Sequence, residues 1–174
     1  MDRMFLLDRS GSMESCLKDT IDGMNAFIES QRELGGTMTL CLFDHEFETV
    51  YERTPMKDVP LLTEDTFKPR GGTALFDALG KILKMNLSDD AMVIILTDGE
   101  ENSSETYTAA HVKDLIETKP WKFVYLGANQ DAVLNAEQLG IRHSAGYDPA
   151  RTPELFRALS ATATQYSQDR TINI

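Results

Sequence analysis

The chain has 174 residues, 41% of them hydrophobic, which suits one ordinary domain with a packed core and excludes a disordered chain. A net charge of −11 excludes a general phosphate-backbone binder and an electrostatic membrane anchor, both of which need clustered Lys and Arg. That charge attracts a divalent cation or a basic partner instead.

Strands and helices alternate along the whole chain, with no repeat, low-complexity tract or linker, so residues 1–174 read as a single domain. Residues 3–7 form a short buried strand. Residues 15–34 form a helix, because Leu17, Ile21, Met24 and Ile28 recur at helical spacing. Gly35-Gly36 stops it. TMTLCLF, 37–43, is the second strand, and FETVYER, 47–53, the third. The turn between them, Asp44-His45-Glu46, is so short that the two strands must be antiparallel. Residues 74–87 form a helix with Leu75, Leu79, Ile82, Leu83 and Leu87 on one face. AMVIILT, 91–97, is apolar almost throughout, as a strand buried on both faces of a parallel sheet is. Asp98-Gly99 ends it. A helix over 105–118, a strand over 122–127, a short helix from Asp131 to about 139 and a strand over 141–145 follow. Thr152-Pro153-Glu154 reads as cap, first-turn proline and acid of a last helix, continued by Leu155, Leu159 and Tyr166. This order gives an α/β fold: a mostly parallel sheet with one antiparallel edge strand and helices on both faces.

Ligands of such sheets bind beyond the carboxyl ends of the strands. Three polar loops lie at that edge. DRSGSM, 8–13, follows the first strand and places Asp8, Ser10 and Ser12 at alternate positions. RGGT, 70–73, precedes a helix, and TDGEEN, 97–102, follows a strand. Alone, the first loop fits a helix-capping turn as well as a cation cradle, with Ser12 as a plain N-cap. Together the loops offer Asp8, Ser10, Ser12, Thr73 and Asp98. Every donor is oxygen, two charged and three neutral, which suits a hard divalent ion; zinc would call for thiolate or imidazole.

Asp-x-Ser-Gly-Ser, then Gly-Gly-Thr before a helix, then Thr-Asp-Gly after a strand resembles the pattern of von Willebrand factor type A domains with their metal-ion-dependent adhesion site (MIDAS). The likeness covers nearly the whole chain, and RGGTALFDAL, 70–79, is similar to the compact intracellular or microbial branch. The resemblance implies a Rossmann-like three-layer α/β/α fold and a Mg²⁺ site, with Mn²⁺ next and Ca²⁺ less suited. It implies Ser10, Ser12 and Thr73 as direct ligands, and Asp8 and Asp98 binding directly or through water. It further implies a protein partner whose Asp or Glu completes the shell, with the domain doing no chemistry itself, either alone or as part of a larger assembly. In some members the last helix, here 154–168, shifts when the ligand arrives.

A metal-dependent hydrolase or phosphatase with Asp8 as nucleophile is the other function to weigh. It lacks an Asp-x-Asp pair, a placed lysine, a Ser-His-Asp order and a Gly-x-Ser-x-Gly elbow. Gly71-Gly72 is not a Walker A loop. Glu100, Glu101 and Glu105 read as a solvated acidic loop or a lure for cations. Asn102 is a candidate to orient a loop backbone, and Asp77 to support the site from the helix after Thr73. Arg9 is expected to face outward at the rim. His45, His111 and His143 read as structural or surface residues. Cys16 and Cys41 are too few for a disulfide framework; as two reduced thiols in a chain whose start lacks a signal-peptide pattern, they point to the cytoplasm.

Overall fold

The computed structural model describes residues 1–98, 100–128, 131–170 and 172. Its centre is a six-stranded sheet in the order β3-β2-β1-β4-β5-β6. The strands are β1 (Asp2–Asp8), β2 (Thr37–Phe43), β3 (Phe47–Pro55), β4 (Ala91–Thr97), β5 (Lys122–Gly127) and β6 (His143–Gly146). Neighbours pair in parallel, except β2 with β3, which is antiparallel and forms the edge.

Side chains of a strand alternate between the two faces of a sheet, and that period sorts the core. Phe5, Leu7, Leu40, Leu42, Ile94 and Leu96 face one side. There they meet α1 (Leu17–Gln31) and α5 (Thr152–Asp169), through Met24, Phe27, Phe156 and Leu159. Met4, Leu6, Cys41, Val93, Ile95 and Tyr125 face the other side. That side is covered by α2 (Leu75–Ile82), α3 (Ala109–Glu117) and α4 (Ala132–Gln138). β1 and β4 are buried along their whole lengths, which accounts for their unbroken apolar runs. The three-layer α/β/α architecture is thus the one the sequence predicts. Among the described residues no helix is long and apolar enough to cross a membrane.

The strand order fixes where a ligand can sit. From β1 the chain moves outward to β2 and β3, then returns across the sheet to β4 on the other side of β1. After β1 it enters α1 on one face; after β4 it leads to α3 on the other. The loops leaving β1 and β4 therefore diverge, and a crevice opens between their carboxyl ends.

Most departures from the sequence reading are at helix ends. The expected helix over 15–34 is divided: a 3₁₀ segment, Gly11–Cys16, leads into α1, and a second one, Arg32–Leu34, ends it. Gly35 and Gly36 then take φ of 65° and 81°, which only glycine adopts without strain. The helix over 74–87 ends at Ile82, although Leu83 and Leu87 stay buried. Its last turns close as i to i+3 bonds, and the Ser88 amide donates to Asp2 Oδ2 at 2.8 Å, which draws the chain into β4. α3 begins at Ala109 and not 105, because the Asp77 carboxylate takes the amides of Glu105, Thr106 and Tyr107 and holds them outside a helix. β6 occupies 143–146 in place of 141–145. Thr152 is the first residue of α5 and not its cap; its hydroxyl donates back to the Pro149 carbonyl at 2.7 Å.

Candidate metal centre

β1 ends at Asp8, and the chain leaves the sheet through Arg9 and Ser10. Asp8 is completely buried. Its Oδ1 accepts from the Ser10 amide at 2.7 Å, and its Oδ2 from the Thr97 hydroxyl at 2.6 Å. Both carboxylate oxygens are therefore fixed, one by its own loop and one by the end of β4. Burial, the largest influence, raises the Asp8 pKa; the two hydrogen bonds oppose it, and the nearby Asp98 charge adds to the rise.

The two serines do not cap. Ser10 stands at the N-cap of the 3₁₀ segment without a side-chain cap bond, and the N-cap position of α1 is Cys16. The hydroxyls instead cross to the β4 loop. Ser12 Oγ donates to Asp98 Oδ1 at 2.7 Å, Ser10 Oγ lies 3.5 Å from the same oxygen, and the two Oγ atoms are 3.0 Å apart. Residues 86 and 88 positions apart in sequence thus converge at the crevice. Gly99, the third residue of the Thr-Asp-Gly motif, lies outside the described residues.

Thr73 joins this group through the main chain. It is buried, its amide donates to Asn102 Oδ1 at 2.9 Å, and its carbonyl accepts from the Asn102 and Ser103 amides. The loop before it lies against the DRSGSM loop: the Gly11 amide donates to the Gly71 carbonyl at 3.2 Å and the Arg70 amide to the Arg9 carbonyl at 2.7 Å. Gly72 packs so closely on the 102–103 segment that a Cβ there would lie 2.9 Å from Asn102 Oδ1. All five sequence-selected residues stand at one end of the crevice. Asp8, Ser10, Ser12 and Asp98 meet through side chains, and Thr73 is held beside them by backbone bonds.

The donor set fits a hard divalent cation. The Asp98 charge lies close enough to raise the cost of ionising the buried Asp8, a cost that a bound cation would offset. Three hydroxyls add neutral oxygens with lone pairs to offer. Oxygen ligands of mixed charge that leave room for water are what Mg²⁺ accepts.

Several neighbours differ from expectation. Arg9 does not face outward. It is buried, its Nη1 donates to Glu48, and its Nε lies 3.3 Å from Asp44 Oδ2. The physical reason is register: Asp8 pairs with Phe43, so the next residue of each strand, Arg9 and Asp44, emerge side by side. Glu101 is not a free member of an acidic run; it accepts from the amides of Phe76, Ser103 and Ser104 and ties the β4 loop to the start of α2. Asp77 acts on the same loop further along. Burial alone would raise its pKa, but its three amide donors, with Lys81, hold it below the ordinary aspartate value. Sequence reading also passed over the turn after β2. There Asp44, His45 and Glu46 bring ligand-type atoms within 4.8 Å of one another. Arg70 pairs with Asp44 Oδ2 and with Glu46, each at 2.7 Å, so the charge of that turn is largely met within the chain.

Residues 3–101, more than half of the chain, match the von Willebrand factor type A domain. The chain belongs to that family, whose members are metal-binding modules of protein interaction. No curated protein matches it. Among solved structures it is similar to the vWF domain of the type V pili tip protein Mfa5 from Porphyromonas gingivalis, at 13% identity and a TM-score of 0.74, over 99% of this chain and 97% of that one. It is also similar to a von Willebrand factor type A protein from Catenulispora acidiphila, at 17% identity and 0.65, over 93% and 42% of the two chains. A third match is proximal thread matrix protein 1 from the mussel byssus with a zinc-occupied MIDAS motif, at 15% identity and 0.64, over 94% and 47%. The chain spans less than half the length of the last two.

Proposed function

We propose that residues 1–174 form one metal-dependent protein-binding module, in which a MIDAS-type site holds Mg²⁺ and recruits an acidic side chain of a protein partner. The observation that carries this reading is the convergence of Ser10 and Ser12 on Asp98 beside the buried carboxylate of Asp8. Ser10, Ser12 and Thr73 are the direct ligands, and Asp8 and Asp98 bind directly or through water. Mn²⁺ suits the same oxygens. The zinc in the byssus protein's motif supports a divalent ion at the corresponding site of the fold.

Electrophilic character toward an incoming carboxylate is what the bound ion supplies, because only two acids balance its charge. The chain's own residues do the rest: Thr97 and the Ser10 amide hold Asp8 in place, and Asn102 holds the Thr73 backbone. Asp8 has both oxygens bonded and is sealed from solvent, which favours a fixed ligand over an attacking nucleophile. The module is a lone binding part or a subunit of a larger assembly. A cytoplasmic setting suits Cys16 and Cys41, which are free and buried on opposite faces of the sheet.

The test is thermal unfolding of chelator-stripped protein with and without millimolar Mg²⁺ or Mn²⁺, alone and with acetate as a carboxylate probe. Ion at 100 times its dissociation constant adds ~2.7 kcal/mol, and for a chain of this size that raises the melting temperature by roughly 5–10 °C. Acetate should increase the shift, because binding of ion and carboxylate is reciprocal. Asp8→Ala and Thr73→Ala should abolish both effects. An ion shift that persists in Asp8→Ala would refute the assigned site, and an acetate-independent shift would refute recruitment of an acid.

A further inference from the structure

Asp44 is completely buried, yet it lies in none of the three motifs. It follows β2, at the sheet edge where β1 and β4 also end. Every polar part of it is engaged. Its carboxylate pairs with Arg70 Nε at 2.7 Å and approaches Arg9 Nε at 3.3 Å. Oδ1 accepts from the Glu46 amide at 2.6 Å, which closes the turn. Its carbonyl accepts from the Ala74 amide at 2.8 Å, one residue beyond Thr73.

Those partners belong to two different loops. Arg9 stands between Asp8 and Ser10. Arg70 and Ala74 bracket Gly71, Gly72 and Thr73. The loops also touch each other directly, through Gly11 to Gly71 and Arg70 to Arg9. His45, next to Asp44, lies against Gly71, where a Cβ would collide with the ring, nearest Nδ1 and 2.7 Å from Cε1. The arrangement is a single buried anion between two guanidiniums, one from each ligand-bearing loop: Arg70 is hydrogen-bonded to it, and Arg9 is in ion-pair range without a hydrogen bond from its Nε. Removing one partner of such a group leaves uncompensated charge in a low-dielectric place, so its geometry is strongly held.

We infer that Asp44 is a positioning residue of the metal centre: it locks the 8–12 loop to the 70–74 loop and so sets Thr73 relative to Ser10 and Ser12. The inference rests on the metal-site reading above for its effect on ion affinity, and on the clasp alone for its effect on the loops. Asp44 acts on the ligand positions through Arg9, Arg70 and Ala74. Residues that orient metal ligands from behind typically change affinity ~10–100-fold when replaced.

The experiment compares three variants with wild type: Asp44→Asn, Arg70→Gln and Asp2→Asn. Asp2 is a control, a buried carboxylate at the opposite end of the sheet, bonded to Ser88 and Arg53. Arg70 is half exposed, and its replacement opens the clasp while Arg9 remains on Asp44, which guards against a variant that fails to fold. Two readouts are taken. Mn²⁺ affinity, followed by loss of the free-ion EPR signal, should fall roughly 10–100-fold in Asp44→Asn and in the same direction in Arg70→Gln. It should be unchanged in Asp2→Asn. Without metal, exchange of the backbone amides at positions 11 and 70 should accelerate at least ~10-fold in both clasp variants, the response to opening a local unit. Exchange of the Thr37 amide, bonded to Met1 at the far end, should not. Folded clasp variants with wild-type Mn²⁺ affinity overturn the positioning role. Unchanged exchange at positions 11 and 70 overturns the clasp. If wild type binds no Mn²⁺, the exchange result still decides the clasp, and the metal-site reading fails separately.

Discussion

Gly23→Ala tests how α5 is seated. Gly23 is in the middle of α1, where glycine costs ~1 kcal/mol relative to alanine, so helix propensity alone predicts a gain in stability. The structure predicts a loss. A Cβ at 23 would lie 2.5 Å from Phe156 Cγ and 2.8 Å from Cε2, inside any real carbon–carbon contact. Phe156 is 1% exposed and belongs to the core between the sheet and the two helices, so its ring has nowhere to swing. Overpacking of this kind costs ~1–3 kcal/mol, and a ring that cannot move puts it at the upper end. Subtracting the propensity gain leaves a net loss of ~2 kcal/mol. For a chain of this size that lowers the melting temperature by roughly 4–8 °C. The assay is thermal and urea unfolding followed by circular dichroism. Phe156→Leu in the same chain should restore part of the loss, with a coupling of ~1 kcal/mol or more in the double-mutant cycle, as for directly touching residues. A Gly23→Ala protein more stable than wild type, or additive with Phe156→Leu, would refute the seating of α5 on α1.

The remaining predictions concern the site and its loop. Burial and Asp98 raise the folded-state pKa of Asp8, so the stability linked to its neutral form is full below the ordinary value of 3.8 and is lost as pH rises through the raised one. Asp8→Asn escapes that loss: stripped of metal at pH 7 it should melt no lower than wild type, yet show no ion-induced shift, and a lower melting point in calorimetry would contradict this. For the same reason wild-type ion binding should weaken as pH falls through the raised Asp8 pKa and should release protons there, which titration calorimetry in buffers of different ionisation heat detects. Asp77→Ala leaves the Glu105, Thr106 and Tyr107 amides without their acceptor, at a cost of ~1–2 kcal/mol where water replaces it only partly. Hydrogen exchange at those three amides should quicken, while exchange in β4 and β5 stays slow.

What the sequence discloses depends on how local its cause is. β2, β4 and β5 appear residue for residue as read, because continuous apolar runs between turn signals have one stable arrangement in a covered sheet. The edge location of Asp8, Thr73 and Asp98 was legible too, since strand order alone brings their loops together. Helix ends were not. The start of α3 depends on Asp77, some thirty positions away, and the end of α2 on Asp2. Arg9 was misread for the same reason. In the motif its position is variable, and nothing nearby indicates that the β1–β2 register sets it beside Asp44. Arg3 is a similar case: a charged residue within a strand, 1% exposed, whose Nε donates to Gln31 at 3.0 Å and Nη1 to the Gly35 carbonyl at 2.8 Å. Tertiary hydrogen bonds override the local preference in each of these places.

The most direct measurement is the position of the ion. Crystals soaked in Mn²⁺ and recorded at a wavelength where manganese scatters anomalously would show it without reference to affinity or partner. One peak is expected in the crevice between β1 and β4, at direct coordination distance from Ser10 Oγ and Ser12 Oγ, about 2.0–2.2 Å for a hard ion of this size. A peak at the Asp44-His45-Glu46 turn instead, or density in the crevice that Ser10 and Ser12 do not touch, would contradict this placement.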